Sequence, residues 1–144
     1  MSYERSIEQY KICLDLAEKV TERRLKTNSF FIGVASAMTS LIAVVLSSST
    51  LAINRTYTLI ALWLFSLLIC KAWLSTIESY KKLNSAKFKI ILELEKELKH
   101  DCLSCEWGFL KQDPKYSKLS ENEKIIPKLF ACLITVIFLG HLFI

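Results

Sequence analysis

Residues 30–46 read FFIGVASAMTSLIAVVL, and residues 57–74 read YTLIALWLFSLLICKAWL. Together they decide the fold class. From Thr27 to Asn54 the chain carries no charge, and Lys71 is the only charge in the second stretch. About twenty helical residues at ~1.5 Å each cross a hydrocarbon core of ~30 Å. Both stretches are therefore read as membrane spans, the first over about 30–48 and the second over about 57–74. Lys71 lies near one end, where a lysine can snorkel to the headgroups. Trp73 suits the interface and Trp63 is interior to the span. A third run, LFACLITVIFLGHLFI at 129–144, is read as a C-terminal span containing His141.

Working outward, the composition agrees. The 144 residues are 52% hydrophobic with mean hydropathy +0.32, which excludes intrinsic disorder. Three glycines and two prolines argue against an all-β fold built on many tight turns. The net charge of +5 is spread among alternating lysines and glutamates, without the concentrated basic face of a nucleic-acid binder, so no nucleic-acid partner is expected. Five acids in the first 29 residues, and an apolar run that starts late, argue against a cleaved signal peptide. Six Lys and Arg precede span one, Arg55 alone lies in the 47–56 loop, and twelve lie from Lys71 to Lys128. Retained positive charge then predicts a cytoplasmic N-terminus and a cytoplasmic central region.

The resulting fold class is an all-α, multi-pass integral membrane protein. Residues 1–29 form a cytoplasmic amphipathic helix with Tyr3, Ile7, Tyr10, Leu14 and Ala17 on one face. Residues 30–74 form the transmembrane hairpin. Residues 75–126 form a cytoplasmic helical region, and 127–144 the last span. No glycine or proline occurs from Val34 to Trp107, so span two can continue as one helix to about Lys99. Trp73, Ile77, Tyr80 and Leu83, then Phe88, Ile91, Leu94 and Leu98, are read as its apolar stripe. Such a stripe needs a partner, either the N-terminal helix or a neighbouring subunit. Ser120 and Glu123 stand three apart, as in a capping box. Basic residues beside the membrane can also pair with anionic lipid.

Span one carries Gly33, Ser36, Ala37, Ser40, Ala43 and Ser47 at spacings of about one turn. Small residues let helices approach closely in lipid; hydroxyls can also line a water-filled pore. Both readings stay open. His100, Cys102 and Cys105 form an H-x-C-x-x-C cluster, but zinc needs three or four ligands, and no second CxxC exists. Metal, cofactor and redox roles are not expected, and these residues are read as small side chains near a helix end. No GxSxG, HExxH or phosphate-binding Gly-rich loop is present, so no enzymatic activity is expected.

The pattern Trp73, Tyr80, Leu83-Asn84, Lys87-Phe88, Leu94-Glu95, Leu98, Glu106-Trp107, Leu110, Tyr116, Glu123 and Pro127 resembles the RipA-type octameric membrane proteins. These are small bacterial proteins associated with anti-phage defence. In sequence it reads SYKKLNSAKFKIILELEKEL, EWGFL and KIIPKLF. The resemblance implies a ring-like homo-oligomer, an octamer, in the inner membrane, with a permeabilising output on infection; a phage structural protein is the trigger considered for it. It also implies Trp73, Tyr80, Asn84, Lys87, Glu95, Glu106 and Trp107 as candidates for the oligomer or cytoplasmic interface. A membrane-anchored adaptor that recruits a cytosolic or phage protein without forming a pore is the alternative.

Overall fold

The computed structural model describes residues 2–47, 55–114 and 119–143. All of its regular structure is helical among these: α1 (Ser2–Ser47), α2 (Arg55–Leu98), α3 (Cys102–Gln112), α4 (Leu119–Glu123) and α5 (Ile125–Leu142). Three of the helical segments are long and apolar enough to cross a membrane, those that contain the three runs read from the sequence. The loop expected at 47–56, apart from its ends, and Tyr116 lie outside the described residues.

The N-terminal amphipathic helix and span one are one helix of 46 residues. Charge density changes abruptly at Thr27, but nothing there breaks the backbone ladder. Likewise α2 runs unbroken for 44 residues through the second span and into the polar region, as its lack of glycine and proline allows.

The two rods pack antiparallel. Tyr10 meets Glu95, Thr27 meets Tyr80, and Asn28 meets Trp73, so the partner's number falls as the α1 number rises. Along α2 the inward positions are Leu59, Trp63, Ser66, Cys70, Trp73, Ile77, Tyr80, Asn84, Lys87, Ile91, Leu94 and Leu98, all buried or half-buried. Their spacing alternates between four and three, the seven-residue period of a coiled coil. This corrects the expected stripe. Leu83 and Phe88 are exposed, while Asn84 and Lys87 take the inward places. A 3.6-residue period drifts off the seam that a 3.5-residue period holds. Ile7, Tyr10, Leu14 and Ala17 turn inward as expected, and Tyr3 stays exposed.

Span three packs on α2. The Trp63 ring stacks on Phe138 with centroids 4.8 Å apart, and its indole N–H donates to Thr135 Oγ1 at 3.2 Å. Ile42, Val45, Leu59 and Ile134 make one apolar cluster across all three spans. Where the hairpin leaves the apolar zone, Trp73 stacks on Phe31 at 5.5 Å and donates to Asn28 Oδ1 at 3.0 Å. An indole with an apolar body and one polar edge suits that boundary.

Helix α2 ends in a Schellman motif. The His100 N–H donates to the Glu95 carbonyl at 3.1 Å and the Lys99 N–H to the Lys96 carbonyl at 3.3 Å. Lys99 occupies the left-handed position with φ 55°, a place that glycine usually takes. Ser120 does not act as a cap: it is already helical and buried in α4, and the Glu123 carboxylate is taken by Arg24 instead.

Candidate functional site

The small residues of span one lie together on the outside of the subunit. Gly33, Ser36, Ala37, Ser40, Ala43 and Ser47 are all exposed, whereas Ala35, Met38, Ile42 and Val45 on the opposite side are buried. At 100° per residue the six small positions fall within about a third of the helix circumference, with Val44 among them. No atom lies within 4 Å of where a side chain on Gly33 would begin. The hydroxyls are satisfied by their own helix: Ser36 Oγ donates to the Ile32 carbonyl at 2.9 Å, Ser40 Oγ to Ser36 at 3.0 Å and Ser47 Oγ to Val44 at 3.1 Å. Such back-bonded hydroxyls keep a face narrow and add no unmet donor when that face is dry. They also leave oxygen lone pairs for water when it is wet.

The candidates of the polar region divide in two. Trp73, Tyr80 and Glu95 bond to Asn28, Thr27 and Tyr10 of α1 in the same chain, and Asn84 and Lys87 are half-buried in the same inward series. Of the two partners considered for the stripe, the intramolecular one occupies it. Glu95 is fully buried. Its carboxylate accepts from Tyr10 Oη at 2.9 Å, from the Leu103 N–H at 2.8 Å, and from both the N–H and the Oγ of Ser104 at 3.1 Å. One side chain thus joins α1, α2 and the first turn of α3, where free N–H groups and the helix dipole favour an anion. Burial pushes the Glu95 carboxyl up, but the hydrogen bonds from Leu103, Tyr10 and Ser104 outweigh it and hold the group below its ordinary value. The same contact, after burial, pushes the Tyr10 phenol up to about 12. Asn84 Oδ1 is buried with no hydrogen-bond partner.

Glu106 and Trp107 sit apart from these, exposed on α3. The Lys111 ammonium lies 5.8 Å from the Trp107 ring centre, and Phe109 beside them is 75% exposed. Cys102 and Cys105 are exposed on the same helix with free thiols. Among the described residues no three His, Cys, Asp or Glu side chains gather as a metal-holding group.

Sequence reasoning missed the ties that fasten α4 and span three to the hairpin. Arg24 donates through Nε at 3.1 Å and Nη2 at 2.9 Å to the same Glu123 oxygen. Both side chains are about nine-tenths buried, and Glu123 Oε2 is left without a partner. Nearer the surface, Lys81 pairs with Glu121 at 2.8 Å and Lys124 with Glu78 at 2.7 Å. Hydrogen bonds from these lysines hold both carboxyls low, and Glu78 in turn raises the Lys124 ammonium. One signal was available: Arg24 continues the apolar series through Ala17 and Val20 and so had to face inward, where an arginine needs an acid.

The family model described as the octameric membrane protein family (8xMP) matches residues 7–143. That is nearly the whole chain, and the protein belongs to this family. No curated protein and no solved structure gives a match.

Proposed function

We propose that the protein is an oligomeric, pore-forming effector of bacterial anti-phage defence, seated in the inner membrane with its N-terminus in the cytoplasm. It acts without catalysing a reaction: assembly opens a conduit, ion gradients collapse, and the infected cell stops growing. The observation that carries this reading is the exposed small-residue face of α1, left bare by the subunit's own packing. Membership in an octameric family supports it further. Eight such helices in a ring, spaced about 9 Å apart, place their axes about 12 Å from the centre. Subtracting a helix half-width of about 5 Å leaves a lumen about 7 Å in radius, wide enough for hydrated ions. Cyclic symmetry closes such a ring from identical contacts. The cytoplasmic ends of the helices form the sensing layer, with a phage structural protein as trigger.

Trp107 and Phe109 favour a second reading. They expose aromatic surface at the cytoplasmic end of the molecule, as an adaptor that recruits a partner without conducting would. Dye release from liposomes containing the purified protein separates the two, with and without lysate from infected cells. Release that Ser40→Phe abolishes while the oligomer persists is the result a pore gives. Release unaffected by Ser40→Phe, or liposomes that stay tight in both conditions while the protein still arrests growth, would remove the pore.

A further inference from the structure

In its polar half, each helix of the hairpin carries a charged series on its outer side. On α1 the series is Glu8, Asp15 and Glu22; on α2 it is Lys82, Lys89 and Lys96. Both repeat every seven residues, the period of the α1–α2 seam, so each holds one position around its helix instead of drifting. All six side chains are exposed, while Ala17, Val20 and Arg24 of α1 and Ile77, Ile91 and Leu98 of α2 are buried. The two series therefore lie on opposite edges of the hairpin and do not meet within a subunit. Asp15 holds only Lys19, one turn along its own helix, with both side chains more than half exposed. Among the described residues, Glu8, Glu22, Lys89 and Lys96 have no ion-pair partner.

The register of the hairpin sets the level of each charge. The pairs Tyr10 with Glu95, Thr27 with Tyr80 and Asn28 with Trp73 have residue numbers that add to between 101 and 107. Residue n of α1 is thus level with about residue 104 − n of α2. Glu8 is level with Lys96, Asp15 with Lys89, and Glu22 with Lys82. The sign inverts at exposed Lys11, and the exposed residue level with it is Glu93. Common membrane spans hold every copy of the chain at one depth, so these levels match between neighbours as well as within a subunit.

We propose that the acidic edge of α1 docks on the lysine edge of α2 in a second copy of the chain. The proposal rests on the ring described above and names the contact that closes it. Such a contact is heterologous: each subunit offers one edge of each kind, and the series of contacts ends only when the ring closes. Opposite charges at matching levels fix the register, and neither edge can pair with its own kind because like charges repel. Gly33, Ser40 and Ser47 repeat every seven residues along the next edge of α1, so this contact leaves them to the lumen.

Charge reversal tests this on the full-length protein in detergent, with native mass spectrometry reading the assembly and circular dichroism the helix content. Glu8→Lys, Asp15→Lys and Glu22→Lys together make both edges basic. Lys82→Glu, Lys89→Glu and Lys96→Glu together make both edges acidic. An exposed pair contributes little by itself, but each triple variant sets three like-charge contacts at every interface of the ring. The octamer fraction of either variant alone should fall by about tenfold or more, at wild-type helix content. Co-expressed, the two should recover an octamer with equal copies of each, because an alternating ring brings opposite charges together at every interface. A misfolded variant could not give that recovery. Octamers at wild-type abundance from either variant alone, or no recovery on co-expression, would overturn the contact while leaving the ring. A wild-type protein that stays monomeric would overturn the ring and the contact with it.

Discussion

Replacing Glu95 with alanine should release α3 from the hairpin while leaving the hairpin intact. The carboxylate accepts four hydrogen bonds, from Tyr10, Leu103 and Ser104 twice. A hydrogen bond to a charged group contributes about 1.5–3 kcal/mol net, but such contributions do not simply add. Helix α3 has no fully buried residue, so its freed N–H groups rehydrate once it swings away. The Tyr10 hydroxyl is then the main group left to find a new partner. The loss is therefore about 3 kcal/mol, localised to α3 and the turn before it. At 1.4 kcal/mol per factor of ten, amide protection across residues 102–112 should fall by about 150-fold. Hydrogen exchange read by mass spectrometry, in the detergent used for purification, measures this directly. Peptides spanning Ile77 and Ile91 should keep wild-type protection. Glu95→Gln keeps one acceptor oxygen and should cost about tenfold. Exchange in α3 of Glu95→Ala within twofold of wild type would show that the carboxylate does not hold the helix.

Three further outcomes follow from the contacts described. Arg24→Leu should destabilise the protein by about 3–5 kcal/mol, because it strands a buried carboxylate, whereas Arg24→Leu with Glu123→Leu should recover most of that in thermal melts. Lys99→Gly should stabilise by about 1 kcal/mol, since the left-handed position costs a side chain that much and glycine nothing; a lower melting temperature would contradict the assigned turn. The pH profile should be flat near neutrality and fall on both sides. Glu78, Glu95 and Glu121 are held below their ordinary values, so their stabilisation is present above about pH 4.3 and lost as pH falls through the lowered values. Lys124 and Tyr10 are raised; their contribution is complete below about pH 10 and lost as pH climbs through the raised values, about 12 for Tyr10. Circular dichroism at 222 nm across pH 2–12 checks both limbs.

The spans were legible because a run such as 30–46 contains no charge and the bilayer sets the length that matters. The unbroken course of α2 was legible from its missing glycine and proline. The inward face of its polar half was not. Asn84, Lys87 and Glu95 look like solvent residues, and Leu83 and Phe88 look like core. The places of Asn84, Lys87, Leu83 and Phe88 are set by the seven-residue period of a helix pair, which only the partner helix imposes; Glu95 lies beside that seam and is covered by Tyr10 and the first turn of α3. The Arg24–Glu123 pair joins residues 99 apart, and no local pattern encodes such a separation. Of the candidate site, the small-residue face of α1 could be read as a face from spacing alone. That it points away from α2 depends on which side of α1 is larger and more apolar, and Met38, Ile42 and Val45 decide that by packing inward.

The continuity of α1 has a mechanical consequence. A rod of 46 residues is about 69 Å long, of which about 42 Å lies on the polar side of Ser29 and about 27 Å within the membrane. With no proline and no glycine before Gly33, and with α2 strapped along it, this rod has no joint at the membrane surface. It is a lever whose fulcrum is the level of Trp73 and Asn28, with its longer arm on the polar side. A sideways push of about 8 Å at the N-terminal tip tilts the rod by about 11° and carries Ser47 about 5 Å the other way. In the ring proposed above, eight levers moved in concert would turn a shift at their polar tips into a change of aperture at the far side of the bilayer.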